Sequence, residues 1–174
     1  MLHLIKRNPS FISGYKEYCQ EFYDHNILTF RPTNPNRIDE TWFEKTFDWY
    51  AKKEQGLIPD CPKGFHYWAV DGDRFIGEFQ LRTELTDEVM AGIGSIGYSV
   101  RVIEQGKGYG KEILRQGLDI ARSHALNKVL LNINDTNLVS IHVCEVLGGV
   151  LMDNLMVNTE EEGEHLIRRY WIYL

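Results

Sequence analysis

The sequence predicts a mixed α/β (α+β) fold: a mostly antiparallel sheet of about seven strands flanked by about four helices. Three observations predict it. Strand and helix signals follow one another in the order strand, two helices, three strands, helix, strand, helix, two strands. The three consecutive strands form a meander closed by the turn Asp71-Gly72-Asp73. Lys128 to Ile133 is a nearly continuous apolar run, which suits a strand covered on both faces. The chain of 174 residues is one domain, too short for two independent cores.

The elements follow in order. Leu2 to Ile5 is a short apolar run that reads as a first strand. Ser10 opens a helical stretch in which Phe11, Tyr15, Tyr18, Cys19 and Phe22 recur at spacings of three and four. Thr29 to Asn36 carries two prolines and two asparagines and reads as a loop. Asp39 starts a second helix, its carboxylate accepting from an otherwise unpaired backbone N–H, with Ile38 and Phe43 placed for a hydrophobic staple. Phe43, Phe47 and Tyr50 give that helix an aromatic face. Gly56 to Gly64 ends the helical part. His66 to Val70 is a strand, and Arg74 to Leu85 alternates, with Phe75, Gly77, Phe79 and Leu81 opposite Ile76, Glu78, Gln80 and Arg82. Ile93 to Val102 is a further strand. The helix after Gly110 has Ile113, Leu114, Leu118 and Ala121 on one face. Asn137 caps a last helix that ends at Gly148-Gly149, a pair suited to the left-handed C-terminal position. Two strands, about Val150 to Val157 and Leu166 to Tyr173, flank the acidic tip Glu160-Glu161-Glu162-Gly163-Glu164.

Composition narrows the function classes. Hydrophobic residues make up 43% and charged residues 25%, close to globular averages, which excludes disorder, collagen and coiled coil. The net charge of −6 repels duplex nucleic acid and anionic membrane, so neither is expected as a partner. No stretch approaches 18 apolar residues and the N-terminus lacks a signal-peptide run, so the chain is read as cytoplasmic. Cys19, Cys61 and Cys144 form no CxxC pair and the six histidines no HExxH, so no disulfide framework and no metal is expected.

The glycine-rich segment Gln105-Gly106-Lys107-Gly108-Tyr109-Gly110 is the most informative part. It leaves the strand ending Val100-Arg101-Val102 and leads straight into a helix. A first helical turn has unpaired N–H groups and a partial positive charge, so it binds anions. Glycine lets phosphate oxygens approach without a Cβ in the way. Lys107 and Lys111 add positive charge, and the expectation is a pyrophosphate cradle; the plainer reading is a flexible strand-to-helix connection. A Walker A loop fails because Gln105 and Glu112 stand where it needs glycine and Ser or Thr. The string Gly92-Ile93-Gly94-Ser95-Ile96-Gly97 matches a dinucleotide fingerprint, but Tyr98-Ser99-Val100 continues as a strand where a helix is required.

Gln105 to Gly110 resembles the Gln/Arg-x-x-Gly-x-Gly/Ala signature of the GNAT N-acetyltransferase superfamily. The resemblance extends over about residues 66–174 and is strongest from Ile93 to Leu151. Ile96-Gly97-Tyr98, Gly148-Gly149-Val150-Leu151 and the ending Arg169-Tyr170-Trp171-Ile172 resemble a bacterial subgroup of predicted acetyltransferases. It implies a single GNAT domain over 1–174, with a V-shaped splay between the fourth and fifth strands. Residues 1–64 would be the acceptor side and 66–174 the acetyl-CoA-binding core.

The resemblance further implies that acetyl-CoA is the cosubstrate. Its pantetheine would pair with backbone at Val100, Arg101 and Val102, and its pyrophosphate would lie on Gln105, Gly106, Lys107, Gly108, Tyr109, Gly110 and Lys111. Asn137 and Ser140 would contact the pantetheine or acetyl region; each also reads as an ordinary residue of a helix start. The implied reaction is direct attack of a primary amine, of a small molecule or peptide, on the thioester. An alkylammonium has a pKa of about 10.4, so a base or water relay must take its proton. The departing thiol has a pKa of about 8.5 and needs little help.

The chain departs from the family pattern at two places. Many relatives carry a tyrosine general acid seven positions after the asparagine, where this chain has Cys144, read either as a donor or as a core thiol. Relatives often place Glu or His near the start of the fourth strand, where this chain has Gly94 and Ser95. Glu78 and Glu84 are then the candidate bases, acting through water, against a plain reading as solvated strand residues. Tyr98 is an acid or a core aromatic. Trp42, Trp49, Tyr67 and Trp68 could line an acceptor slot, with Arg82 holding a carboxylate. Dimers are common among relatives, so a homodimer is compatible with the resemblance. The alternatives to an enzyme are a low-turnover CoA-binding sensor or regulatory module, and a binder of nucleotide phosphates.

Overall fold

The structure is a computed structural model that describes residues 1–27, 33–159 and 163–174. Positions 29–32 of the expected loop and Glu160 to Glu162 of the acidic tip lie outside the described residues. Seven strands and four α-helices appear in the expected order: β1 Leu2–Lys6, α1 Ile12–Asp24, α2 Glu40–Glu54, β2 Gly64–Asp71, β3 Arg74–Arg82, β4 Ile96–Val100, α3 Tyr109–Ser123, β5 Lys128–Asn134, α4 Leu138–Val146, β6 Val150–Thr159 and β7 Gly163–Tyr173. Among the described residues, no helix is long and apolar enough to cross a membrane.

Local chemistry sets most boundaries. Asp39 caps α2 by accepting from Trp42 N at 2.7 Å, and Ile38 and Phe43 are both buried in one cluster, as the staple requires. Asn137 caps α4 by accepting from Ser140 N at 3.1 Å, and Gly148 ends it with φ +92°. The start of α1 differs from expectation. Asn8, not Ser10, caps a short 3₁₀ turn over Pro9–Phe11, since its side chain accepts from Ser10 N, and α1 begins only at Ile12. The fourth strand is also shorter than expected. Val89–Ile93 forms a π-helical turn closed by Gly94 N donating to Val89 O, so β4 starts at Ile96.

The strands form two antiparallel sheets, in the orders β1-β2-β3-β4 and β5-β7-β6. They meet where Ser95 N donates to Leu130 O at 2.7 Å and Leu130 N donates to Ser95 Oγ at 3.1 Å. Beyond this junction β4 and β5 go to different sheets, which is the expected splay. One face of the first sheet carries α3, in a cluster including Ile76, Phe79, Ile113, Leu114 and Leu118. The other carries α1 and α2, around Tyr15, Tyr18, Phe22, Phe43, Trp68 and Phe75.

The alternation expected along β3 breaks at one point. Ala69 pairs with Gly77 but Val70 pairs with Phe75, which leaves Ile76 as an extra residue. This β-bulge turns Phe75 to the α1 side and Ile76 to the α3 side, and fixes the face of every residue after it. Gly77 lies where the strands crowd: a Cβ there would stand 2.0 Å from Ser99 O.

Candidate active site

A cleft of about 670 Å³ opens beyond the junction of the two sheets. β4 contributes Tyr98, Ser99 and Val100, and the glycine loop with the start of α3 contributes Gln105, Gly106, Gly108, Tyr109, Gly110 and Lys111. Asn137 and Ser140 at the start of α4 form the facing wall, while Phe22 and Ile27 close the α1 side.

The loop turns a row of backbone N–H groups toward open space. Gly106 and Gly108 have φ of +77° and +86°, and a Cβ at either would meet nothing within 4 Å of the protein. The left-handed backbone requires glycine there, and the space around it is open. Among the described residues, the N–H groups from Gly106 to Lys111 donate to no turn, loop or cap carbonyl, whereas Gln105 N donates to Val102 O and Glu112 N to Gly108 O. These are the unpaired donors of a helix start, and they border the cleft.

The charge at the cradle differs from expectation. Lys107 Nζ is held by Glu104 Oε2 at 2.9 Å, and Glu104, nearly buried, also accepts from Arg74 Nη1 at 3.0 Å. Lys107 is therefore already paired to a carboxylate that itself lines the cleft, and Lys111 is the cation of the segment among the lining residues. The Tyr109 hydroxyl turns outward to donate to Asp71 at 2.8 Å. Arg101 and Val102 are not brought to the cleft. Arg101 N donates to Ile76 O at 2.8 Å, and its guanidinium binds Glu21 and Glu17 of α1. Val102 starts a 3₁₀ turn and packs against the α1 cluster. Val100 does line the cleft, with its carbonyl accepting from Gln105 Nε2 at 3.3 Å.

The three candidate catalytic residues fall in three environments. Glu84 is exposed after β3, outside the cleft lining, where its carboxylate accepts from Lys63 N at 3.1 Å. Cys144 is fully buried in the α3 cluster, where burial pushes its thiol up to about 12. Glu78 is buried under α1, with Oε1 3.0 Å from His66 Nε2 and Oε2 accepting from the Tyr18 hydroxyl at 3.4 Å. The Tyr18 hydroxyl is in turn 2.6 Å from Ser99 Oγ, at the cleft wall. Tyr98 points to the other side of β4, and burial raises its phenol to about 12 against the opposing pull of Ser140.

Tyr18, His66 and Ser99 were not singled out as functional in the sequence, because each reads as a core or strand residue there. The acceptor-slot aromatics are divided as well. Trp68 is completely buried beneath α1 and α2, and Arg82 binds Gly94 O and the Gln80 side chain from within the fold. Among the described residues, no three His, Cys, Asp or Glu side chains stand together as a metal-binding group.

The model of the GNAT acetyltransferase domain matches residues 15–150. No curated protein matches the sequence. Among solved structures, the fold is similar to RimL, a ribosomal L7/L12 alpha-N-protein acetyltransferase in complex with coenzyme A, with a TM-score of 0.73 at 14% identity over 99% of this chain and 94% of that one. Microcin C7 self-immunity acetyltransferase MccE, in complex with acetyl-CoA and AMP, gives 0.74 at 12% identity, over 99% and 92% of the two chains. The ribosomal-protein-S5-alanine acetyltransferase from Vibrio fischeri gives 0.72 at 19% identity, over 99% and 91%.

Proposed function

The chain belongs to the GNAT acetyltransferase family, and from that premise we propose that it transfers the acetyl group of acetyl-CoA to a primary amine of a small molecule or peptide, by direct attack within a ternary complex. The observation that carries the reading is the row of unpaired N–H groups from Gly106 to Lys111 at the start of α3, open to the cleft. That row fits a pyrophosphate: anionic oxygens find several N–H donors and the positive end of a helix at once. Two similar folds are named with coenzyme A or acetyl-CoA bound.

When bound, acetyl-CoA supplies an acyl group activated as a thioester. This chain's residues do the rest. The cradle and Lys111 hold the diphosphate, and Asn137 and Ser140 border the same cleft from α4. Of the acidic candidates, Glu78 is the one connected to the cleft by side-chain contacts, so it takes the role of base. The acceptor is left as a class. The neighbours are named for ribosomal proteins and for microcin self-immunity, and these names single out no one acceptor class for this chain.

Cys144 favours a second reading, a CoA-binding module of low turnover. Its thiol is buried and stays protonated where many relatives carry a tyrosine. One experiment separates the two: incubation with acetyl-CoA and a panel of primary amines while free thiol is followed. Amine-dependent thiol release is the expected result. Tight CoA binding with no release from any amine would establish the module instead.

A further inference from the structure

Glu78 is 3% exposed, and among the described residues the one basic side chain within ion-pair distance is His66. A carboxylate so placed forgoes hydration while paired directly to no permanent cation, the buried Arg7 guanidinium acting on it only through space, which is an unusual cost for a purely structural role. The groups packed around it come from three elements and from the residue that follows β1. α1 gives Tyr15, Tyr18 and Cys19, α2 gives Tyr50, β2 gives His66, and Arg7 follows β1 inside a cage of Trp42, Phe43, Tyr50 and Trp68. Burial first, and the Glu78 charge second, raise Tyr15, Tyr18, Cys19 and Tyr50 above their ordinary ranges. All four therefore keep their protons.

We propose that Ser99 and Tyr18 form a proton relay that carries a proton from the acceptor amine in the cleft to the buried carboxylate of Glu78. The proposal rests on the acetyltransferase reading and names the route that it needs. Direction follows from hydrogen-bond arithmetic. The single proton of the Tyr18 hydroxyl is donated to Glu78 Oε2, so the 2.6 Å contact with Ser99 has Ser99 as donor. The lone pairs of Ser99 Oγ are then free to accept from the cleft side. In the relay step, an N–H bond of the ammonium breaks and its electron pair stays on nitrogen. That proton bonds to Ser99 Oγ as the Ser99 proton passes to Tyr18 and the Tyr18 proton to Glu78. One proton has moved, and Glu78 has become neutral beside His66. The Tyr18–Glu78 contact, 3.4 Å, must shorten as the proton passes, as catalytic hydrogen bonds do when a site is loaded.

The test compares the wild-type protein with Tyr18→Phe and Ser99→Ala on primary amines graded in basicity, from alkylamines that are ammonium ions at neutral pH to aromatic amines that are already neutral. Calorimetry with CoA and the thermal midpoint check that the site and the fold survive. Each variant should lose at least tenfold more kcat/KM on the most basic than on the least basic amine that the wild type turns over, with CoA affinity kept. Should Tyr18→Phe fail to fold, Ser99→Ala, at the accessible end, decides by the same ratio. An equal loss on all amines, or none, overturns the relay and leaves the acetyltransferase reading intact. A wild type that binds acetyl-CoA and acetylates no amine overturns both.

Discussion

Gly106 and Gly108 set the course of the proposed cradle at the scale of single torsion angles. At φ of +77° and +86° an L side chain is strained, and a β-branched one is strained most. Gly108→Val should therefore force the loop out of its left-handed turn and disperse the N–H groups that face the cleft. The expected outcome is at least a tenfold weaker CoA affinity by calorimetry, with the thermal midpoint of the ligand-free protein changed by only a few degrees. Unchanged affinity would show that the diphosphate is held elsewhere. This part of the site was legible in the sequence because a positive φ is a property of one residue, and glycine marks it. Lys107 was less legible: a cation beside the loop reads as a phosphate ligand until Glu104, a buried carboxylate of the preceding turn, is seen to hold it.

At the scale of elements, β4 and β5 are joined by Ser95 and released just after it. Ser95 is 1% exposed, and its side chain supplies the acceptor for Leu130 N while its backbone donates to Leu130 O. Ser95→Ala leaves the Leu130 N–H buried without a partner, a loss of about 1–3 kcal/mol. For a domain of this size, the thermal midpoint should drop by about 2–4 °C per kcal/mol. Calorimetric scanning checks it, and an unaltered midpoint would mean that the junction does not depend on this hydroxyl. The helices were legible because caps and periodicity are local: Asp39, Asn137 and Gly148 each act within one turn of their own position. The start of β4 was not, since Ile93, the β-branched residue at which the strand is expected to begin, is instead wound into the π-helical turn Val89–Ile93. There the tertiary contact of Ser95 with Leu130 decides where the strand begins.

For the whole molecule, protons couple the fold to pH. Glu112 accepts from Arg115 at 2.7 and 2.9 Å and from Gln116 at 2.7 Å, and the Gln116 side chain in turn binds the backbone of Leu2 and Leu4 in β1. The hydrogen bonds from Arg115, then that from Gln116, lower the Glu112 carboxyl from 4.5 to about 2. A carboxyl depressed on folding contributes stability that is present above its unfolded value and lost as pH falls through the folded one. The thermal midpoint should thus fall between pH 4.5 and about 2, and Glu112→Gln should make that fall shallower while leaving the fold intact. Identical profiles for the two proteins would show that Glu112 is uncoupled from folding.

The sequence by itself determined the order of the elements, the caps of α2 and α4 and the glycine loop ahead of α3, because each of these is governed by interactions within a few residues along the chain. It also marked Glu78 as a carboxylate near the site, but without its surroundings. A ladder continued without a bulge from the Asp71–Arg74 pair would set Glu78 opposite Tyr67, on the other face from His66. The extra residue Ile76 shifts the register so that Glu78 pairs with Trp68 and shares a face with His66. Only the tertiary structure decided this, because one inserted residue reverses every side chain beyond it, and only the packing of α1 across that face brings Tyr18 between Glu78 and Ser99.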